Sequence, residues 1–356
     1  MLLNAVQKHL ERVLNVVRKI NAAPLFHALY DASRVRRTAF ATLVTSLVAL
    51  TTAAVAYAGN AGFLPGGADS PNGQDVHQAF IVVAIFTGII FVAVEGALIV
   101  FIVKYRRGKR ARTAEGPQVH GSTRLEVIWT VVPVVFLAAI GSFVFYKLPG
   151  IKNPPSAQAA DSTRVLIEGH QFFWQFRYPN GAISIDRMVA PADEVVNEDI
   201  TAPLYDVIHS WWVPDFGGKY DAIPGKVNRT WFKAPAGDYQ ARCYELCGIQ
   251  HTVMLATVHV VPRAQYDAFV SRRASPAGKL ELGHEEWQGA CMKCHRLDSR
   301  YIGPQLRGNS LLANRAGLEQ LLRNGRGQMP KVGAGWSDAQ IDALVAYTKQ
   351  FAKGGS

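Results

Sequence analysis

The chain has 356 residues, of which 49% are hydrophobic, and it carries a formal net charge of +11. This charge is confined to two segments: residues 1–37 hold seven Lys and Arg against two acidic residues, and residues 104–124 hold seven against one. The remainder is neutral, which argues against a basic nucleic-acid-binding surface. Basic segments that flank apolar runs are instead typical of a membrane protein, and the length allows two or three domains.

The first 58 residues combine a basic leader with an apolar run over residues 38–58. This run ends in Ala56-Tyr57-Ala58 before Gly59, a small-x-small pattern that precedes signal-peptide cleavage sites. The sequence therefore predicts either a cleaved signal peptide or a first membrane helix over residues 1–58. Residues 59–78 are rich in Gly, Pro and Asn and predict a periplasmic loop.

Residues 79–150 predict two transmembrane helices joined by a basic loop. The apolar runs 79–103 and 127–146 are long enough to cross a bilayer at about 1.5 Å per residue. The positive-inside rule places the 104–124 loop in the cytoplasm, and hence the C-terminal domains on the periplasmic side of a bacterial inner membrane. Glu95 lies within the first run, where a carboxylate indicates either a function or burial against a partner.

The rest of the chain changes character twice. Residues 160–270 contain short β-rich runs separated by turns such as Pro179-Asn-Gly, which predicts an all-β sandwich or barrel. Residues 271–280 are basic and contain Pro and Gly, and predict a linker. Residues 281–352 are helical in pattern, with Ser337 and Gln340 spaced as a capping box. The predicted fold class is a multidomain membrane protein with a transmembrane helical hairpin, an all-β domain and a small all-α domain.

One dozen-residue stretch of the β region is unusually rich in metal ligands. Cys243, Cys247, His251 and Met254 follow one another at short spacing, and His209 lies upstream. Thiolate and thioether groups suit Cu(I), and imidazole suits either copper oxidation state. Two thiolates and two imidazoles are a suitable ligand set for a dinuclear copper electron-transfer centre. The spacing alone also allows a disulfide or a zinc site, although zinc has no use for the thioether.

The helical region opens with a second redox motif, Cys291-Met-Lys-Cys294-His295. This is a c-type haem attachment signature, in which both thiols form thioethers and the imidazole binds the iron. Met329, followed by Pro330, remains as the sixth ligand once the other methionines are eliminated. His and Met ligation raises a haem potential, as an electron carrier that supplies an oxidase requires. Because both cysteine pairs lie in such motifs, no structural disulfide is expected.

Three segments resemble the CuA domain of cytochrome c oxidase subunit II: His209-Ser-Trp-Trp-Val-Pro, Asp221-Ala-Ile-Pro-Gly and the loop 243–254. The resemblance covers about residues 75–270, and residues 281–352 are similar to a small class I cytochrome c. The resemblance to subunit II implies a cupredoxin-like β domain and a periplasmic CuA centre. The implied copper ligands are His209, Cys243, Cys247, His251, Met254 as a weak ligand and Glu245 through its carbonyl oxygen.

The resemblance also implies partners and further site residues. The Glu245 side chain is expected to reach a magnesium ion shared with subunit I. Glu126 matches a carboxylate at the mouth of a proton channel of subunit I, although a helix N-terminal carboxylate favoured by the helix dipole is the alternative. Subunits I and III are the expected partners. Electrons are expected to pass from a cytochrome c donor through haem c to CuA and on to subunit I, for oxygen reduction coupled to proton transport.

Other functions fit the sequence less well. A quinol oxidase subunit should lack the copper ligands, and a nitrous oxide reductase needs a second, histidine-rich copper domain. A membrane-tethered copper and haem carrier outside any oxidase is the remaining alternative.

The entry point for electrons is expected to differ from the family pattern. In the family, a Gly-His-Gln segment precedes a tryptophan that receives electrons from soluble cytochrome c, whereas Gly169-His170-Gln171 here precedes Phe172. The β region, residues 161–278, has a net charge of −2, and residues 281–356 have +3. The sequence predicts that the fused cytochrome domain supplies the entry point, held near the β domain by its tether and helped by weak attraction.

Overall fold

A computed structural model describes residues 68–106, 118, 120–155 and 162–353. The predicted leader and signal peptide (residues 1–58) and most of the basic loop (residues 104–124) lie outside the described residues. The described chain contains a pair of long apolar helices, a β-sandwich and a C-terminal group of short helices. This order of elements matches the predicted fold class.

The two long helices are α1 (Pro71–Tyr105) and α2 (Thr123–Lys152). In the described part of the chain, these helices are long and apolar enough to cross a membrane, and their faces are mostly exposed. Helix α1 begins eight residues before the predicted run, inside the predicted loop 59–78. Pro71 occupies the start of the helix, where its missing N–H costs no hydrogen bond.

The extra turns of α1 pack against the β domain. Asn72 is 3% exposed and its Nδ2 donates to the Trp231 carbonyl at 2.5 Å. One turn further on, Asp75 forms an ion pair of 2.8 Å with Lys147 of α2. These contacts with the protein, rather than hydrophobicity, extend the helix beyond the length that a bilayer needs.

The β domain consists of two five-stranded sheets among the described residues. One has the order β3-β2-β1-β5-β8 and the other β4-β10-β9-β6-β7. The pairs β1–β5 and β4–β10 are parallel, and the other pairs are antiparallel. The strands are β1 (Thr163–His170), β2 (Phe173–Arg177), β3 (Ile183–Ile185), β4 (Arg187–Pro191), β5 (Val196–Thr201), β6 (His209–Trp212), β7 (Tyr220–Ala222), β8 (Asn228–Phe232), β9 (Gly237–Cys243) and β10 (Leu255–Val261).

The core of the sandwich follows from alternation along these strands. In β10 and β5 every second side chain is buried, as expected for strands with one face on a core. Phe176, Trp211, Met188 and Ile200 are at most 2% exposed and belong to one apolar cluster. The all-β prediction is confirmed, and the domain is cupredoxin-like.

The C-terminal domain contains helices α4 (Lys279–Glu286), α5 (Arg315–Asn324) and α6 (Asp338–Thr348). Ser337 and Gln340 form the predicted capping box at the start of α6. Helices α4 and α6 cross closely at Gly283, where any side chain would meet the Ala343 carbonyl. The all-α prediction for this domain is confirmed.

The segment predicted as a linker, residues 271–280, is largely folded. Helix α3 (Arg263–Arg273) extends into it, and a short 3₁₀ turn (Pro276–Gly278) leads directly into α4. The Arg273 side chain is fully buried, with its guanidinium paired to Glu285. The linker prediction differs from the structure because a charged residue suggests an exposed segment, whereas Arg273 lies buried between two domains.

One buried carboxyl group gives the β domain a pH-dependent stability. Glu198 on β5 is 3% exposed and accepts a hydrogen bond of 3.1 Å from Trp211 Nε1. Burial raises the pKa of Glu198 to about 8, although the Trp211 hydrogen bond opposes this. The native state therefore keeps a proton that the unfolded state loses at about pH 4.5, so stability falls as pH rises from about 4.5 to 8.

We expect Glu198→Gln to flatten this decline, because the amide stays neutral and can still accept from Trp211. Urea unfolding of the purified chain in detergent measures the free energy of unfolding between pH 5 and pH 9. Glu194→Gln is the matched control, since that side chain is 37% exposed, and it should leave the decline unchanged. A Glu198→Gln protein that still loses stability with the wild-type slope would contradict the assignment.

Candidate copper centre and haem-binding cavity

Two strands and one loop position the copper-ligand candidates. His209 is the first residue of β6 and Cys243 the last residue of β9, and these strands pair antiparallel. The loop from β9 to β10 carries Cys247, His251 and Met254. A backbone hydrogen bond of 3.1 Å from Cys243 to the Met254 carbonyl closes this loop. The sequence motif therefore becomes a compact cluster at one end of the sandwich.

The donor atoms of the five residues converge. The two Sγ atoms are 3.9 Å apart, too far for a disulfide bond. His209 Nδ1 lies 3.9 Å from the Cys243 sulfur, and His251 Nδ1 lies 3.6 Å from the Cys247 sulfur. The Met254 sulfur is 3.8 Å from Cys247. Each imidazole thus stands beside a different sulfur, which fits two metals bridged by two thiolates.

A single four-coordinate zinc ion fits this arrangement less well. The ligand atoms of His209, Cys243 and Cys247 lie within 4.8 Å of one another, but His251 falls outside that group. The Glu245 carbonyl oxygen lies 3.3 Å from the Cys243 sulfur, so a sixth candidate donor also faces the cluster. Sulfur donors together with imidazoles are the set that copper prefers.

The electrostatics of the cluster favour thiolate formation. The hydrogen bond between the two thiols lowers the pKa of Cys243 to about 3, against the opposing effect of burial. The same pairing and burial raise the pKa of Cys247. One thiolate therefore forms readily, and loss of the second proton requires an additional positive charge such as a bound metal ion.

Asp206 orients the first imidazole. Its Oδ1 lies 3.0 Å from His209 Nε2, which leaves Nδ1 directed toward the sulfurs. Burial lowers the pKa of His209, but the hydrogen bonds and charges of Asp206 and Cys243 together outweigh this, and the pKa is raised. A carboxylate behind a ligating histidine fixes the ring orientation and strengthens the ligand.

A cavity of about 650 Å³ lies beside the Cys-x-x-Cys-His segment, within the range of roughly 300–1,000 Å³ common for cofactor pockets. Cys291, Cys294 and His295 line it, and Met329 lines it as well. Most of the remaining wall is apolar: Trp287, Leu306, Leu312, Leu318, Leu322, Val332 and Leu344. An apolar cavity with two thiols, an imidazole and a thioether fits a covalently attached haem.

The histidine of this cavity is oriented for iron binding. His295 Nδ1 lies 2.8 Å from the Pro304 carbonyl oxygen, to which it can donate. That hydrogen bond leaves Nε2 as the free ring nitrogen, as is common for ligating histidines. The predicted haem residues are thus brought together at one cavity.

Neither cysteine of this cavity has a lowered pKa, in contrast to Cys243 of the copper loop. Burial raises the pKa of Cys291 to about 12 and also raises the pKa of Cys294. Such an environment disfavours the thiolates that a zinc ion needs, whereas a thioether carries no charge.

The haem cavity and the copper loop share a wall. Gln171, Phe172, Gly248 and Ile249 of the β domain line the cavity. Gly248 has a φ of +135°, and a side chain there would contact the Phe172 ring. Gln171 Nε2 donates a hydrogen bond of 2.6 Å to the Cys247 carbonyl. One layer of residues therefore separates the cavity from a copper-ligand candidate.

Among the described residues, the carboxylate groups of three predicted residues form no hydrogen bond with the ligand candidates of either site. The Glu245 side chain is 46% exposed and lies 3.7 Å from Lys219 Nζ. Glu126 is exposed in the first turn of α2, and Glu95 is exposed on α1. Their proposed roles involve other subunits and remain predictions.

Sequence reasoning missed several supporting residues. Asp206 lies three residues before His209, a spacing that could have indicated a partner for the imidazole. Gln171 belongs to the Gly-His-Gln segment of the family, which does not indicate its contact with the Cys247 carbonyl. The contacts of Lys293 with Asp186 and the copper loop join residues far apart in sequence, so no local pattern could indicate them.

Comparison with known families agrees with this architecture. A family model described as cytochrome c oxidase subunit II, transmembrane domain, matches residues 58–146, and one described as cytochrome c oxidase subunit II, periplasmic domain, matches residues 181–261. A third, described as cytochrome c oxidase, cbb3-type, subunit III, matches residues 278–347.

Individual proteins show the same likeness. Cytochrome c oxidase subunit 2 of Alkalihalophilus pseudofirmus is 29% identical over 307 residues, covering 78% of this chain and 88% of the relative. That of Cereibacter sphaeroides is 32% identical over 266 residues, covering 63% of this chain and 83% of the relative. A crystal structure of the periplasmic domain of subunit II of cytochrome oxidase from Bradyrhizobium japonicum is 31% identical, covers 31% of this chain and 92% of that one, and has a TM-score of 0.30.

A membrane hairpin, a cupredoxin-like domain with a sulfur and imidazole cluster, and a cytochrome c domain define a membrane-anchored electron-transfer protein. The chain belongs to the cytochrome c oxidase subunit II family. The family implies a CuA centre and the cytochrome c domain implies a haem, whereas a carrier unrelated to any oxidase is not favoured.

Substitution of either loop thiol should remove the dinuclear copper centre. In Cys243→Ser and Cys247→Ser, a hard hydroxyl replaces a bridging thiolate, so we expect loss of the two-copper electron paramagnetic resonance spectrum. Met254→Leu should keep copper and shift the potential. Met188→Leu, a core methionine with the same 0% exposure as Met254, is the control and should change neither. A two-copper spectrum retained in either serine variant would falsify the ligand assignment.

Proposed function

We propose that this chain is the electron-input subunit of a cytochrome c oxidase. In this proposal the C-terminal domain receives electrons from an external cytochrome c, and the β domain passes them to subunit I. When bound, haem c and the dinuclear copper centre supply sites that gain and lose one electron. The β and cytochrome domains are proposed to lie on the periplasmic side of a bacterial inner membrane, with subunits I and III as partners.

The residues divide this task between them. We assign His209, Cys243, Cys247, His251, Met254 and the Glu245 carbonyl to copper, and Cys291, Cys294, His295 and Met329 to haem. Asp206 and the Pro304 carbonyl hold the two key imidazoles in the orientation that binding requires. The apolar wall of the haem cavity limits contact with water.

The shared wall carries the proposal. Gln171 borders the haem cavity and donates to the Cys247 carbonyl at 2.6 Å. Phe172 lies in the same wall and is 6% exposed. This is the position at which the sequence lacks the tryptophan that serves soluble donors in the family. The fused domain therefore covers the surface on which a soluble donor would otherwise dock.

Exposed apolar residues near the copper loop support the presence of a partner subunit. Leu246 is 78% exposed and Tyr244 is 48% exposed, and both lie in the loop itself. Neighbouring exposed apolar side chains of this kind can form part of a surface that a partner covers. A magnesium ion held in part by Glu245, and a proton-channel role for Glu126, are further parts of the proposal that depend on subunit I.

Met329→Leu tests the route of electron entry. Loss of the thioether should lower the haem potential, and a fall of about 59 mV lowers the ratio of reduced to oxidised haem tenfold for a one-electron couple. We expect oxygen consumption with external cytochrome c to fall by about that factor or more, with haem content and the copper spectrum unchanged.

Met292→Leu is the matched control, because this second methionine of the cytochrome domain lies in the Cys-x-x-Cys-His motif and is assigned no ligand role. A small photoexcited reductant that reduces copper directly should restore turnover in Met329→Leu. If the variant had a lowered haem potential but oxidised external cytochrome c at the wild-type rate, electrons would enter elsewhere and the proposal would be wrong.

A further inference from the structure

We propose that Lys293 is a positioning residue that fixes the haem-attachment segment onto the copper loop, so that the two domains work in one docked arrangement. This inference rests on the proposed function, because it concerns how electrons cross between those domains. It differs from the tethered arrangement that the sequence predicts.

Lys293 lies between the two haem-attaching cysteines. It contacts the copper loop with both its side-chain ammonium group and its backbone carbonyl. Its Nζ donates a hydrogen bond of 2.8 Å to the Val253 carbonyl. Its own carbonyl accepts a hydrogen bond of 2.8 Å from Gln250 Nε2. Gln250 precedes the 3₁₀ turn His251–Val253, Val253 ends it, and each directly precedes a candidate ligand. One residue therefore links the segment that binds haem to the loop that binds copper.

The Lys293 ammonium group also forms an ion pair that is mostly removed from water. Its Nζ lies 2.9 Å from Asp186 Oδ2, with the two side chains 15% and 18% exposed. Asp186 is itself fixed, since its Oδ1 accepts a hydrogen bond of 2.8 Å from the Trp174 backbone N–H. Its φ of +52° lies in the left-handed region that a residue with a side chain seldom adopts. Removal of one partner of an ion pair buried to this extent leaves an uncompensated charge, which destabilises the folded arrangement.

Close packing surrounds this ion pair. Gly289 precedes the first haem cysteine by two residues, and a side chain there would meet Ile185 and lie 3.1 Å from Asp186 Oδ2. Nearby, Gln340 Nε2 of the cytochrome domain donates to Gln175 Oε1 of the β domain at 2.7 Å, in a fully buried pair. Phe173 of β2 belongs to the apolar core of the cytochrome domain. The interface is packed like a domain interior.

The charge pattern across the interface supports direct contacts rather than long-range attraction. Lys293 brings a positive charge from the cytochrome domain to Asp186. In the opposite sense, Arg187 of the β domain lies 3.3 Å from Glu281 of the cytochrome domain. Each domain thus contributes a positive charge to one ion pair and a negative charge to the other. The net charges of −2 and +3 therefore do not determine how the two domains dock. The mostly buried Lys293–Asp186 pair is less screened by salt than exposed charges are.

The test uses the complete oxidase complex with Lys293→Gln, which removes the charge but keeps a polar side chain. We expect electron transfer from haem to copper after flash photoreduction to slow by roughly tenfold or more, as for other misplaced reaction partners. The rate should also become dependent on salt, while the haem spectrum and potential stay unchanged. Lys331→Gln is the matched control, since Lys331 is exposed and has no carboxylate partner among the described residues.

Hydrogen exchange supplies a readout that does not depend on turnover. Amides of residues 250–254 should exchange faster in Lys293→Gln than in wild type or in Lys331→Gln. Asp186→Asn should reproduce both effects, and the double variant should be no worse than either single variant, because the two residues act as one pair. Asp186→Asn also provides a second test if Lys293→Gln fails to assemble.

The outcomes separate this inference from the proposed function. A Lys293→Gln complex with wild-type transfer rate and wild-type exchange would overturn the positioning role. If the wild-type complex showed no electron exchange between haem and copper, the proposed function would fail. The hydrogen-exchange measurements on the same samples would then still decide whether Lys293 holds the two segments together.

Discussion

The pairing of β6 with β9 is the constraint on which the copper site depends. It pairs Cys243, the last residue of β9, with Trp211, which lies two positions after His209 on β6, so that His209 and Cys243 lie near each other on one face of the sheet. The two are separated by 34 positions in sequence, and the register of the sheet brings their donor atoms to 3.9 Å. Because a one-residue slip would turn one of the side chains to the other face, the whole sandwich core contributes to ligand geometry.

Local patterns in the sequence predicted most of the ligand candidates. The spacing from Cys243 to Met254 and the Cys-x-x-Cys-His motif are contained within short segments, so their chemistry can be predicted without knowing the fold. The long apolar runs and the alternating strands are also local signals. The start of α1 at Pro71 was not predictable in this way, because the extra turns exist only where Asn72 contacts Trp231.

The relation between the β and cytochrome domains was the part that sequence reasoning described least well. Residues 271–280 look like a linker because they are basic and contain Pro and Gly, yet Arg273 is buried between the domains. The opposite net charges of the β and cytochrome domains predicted electrostatic attraction between two domains joined only by a tether. The contacts that join Lys293 to Asp186 and Gln340 to Gln175 span 107 and 165 positions, and only the folded chain reveals them.

The shared wall of the haem cavity also has a consequence for how the protein matures. Gln171, Phe172, Gly248 and Ile249 close one side of the cavity, so the finished protein offers the Cys291 and Cys294 thiols only in a half-buried state. An enzyme that attaches haem has to reach both thiols. Access to both sulfurs is therefore greatest while the β domain is not yet packed against this side of the cavity.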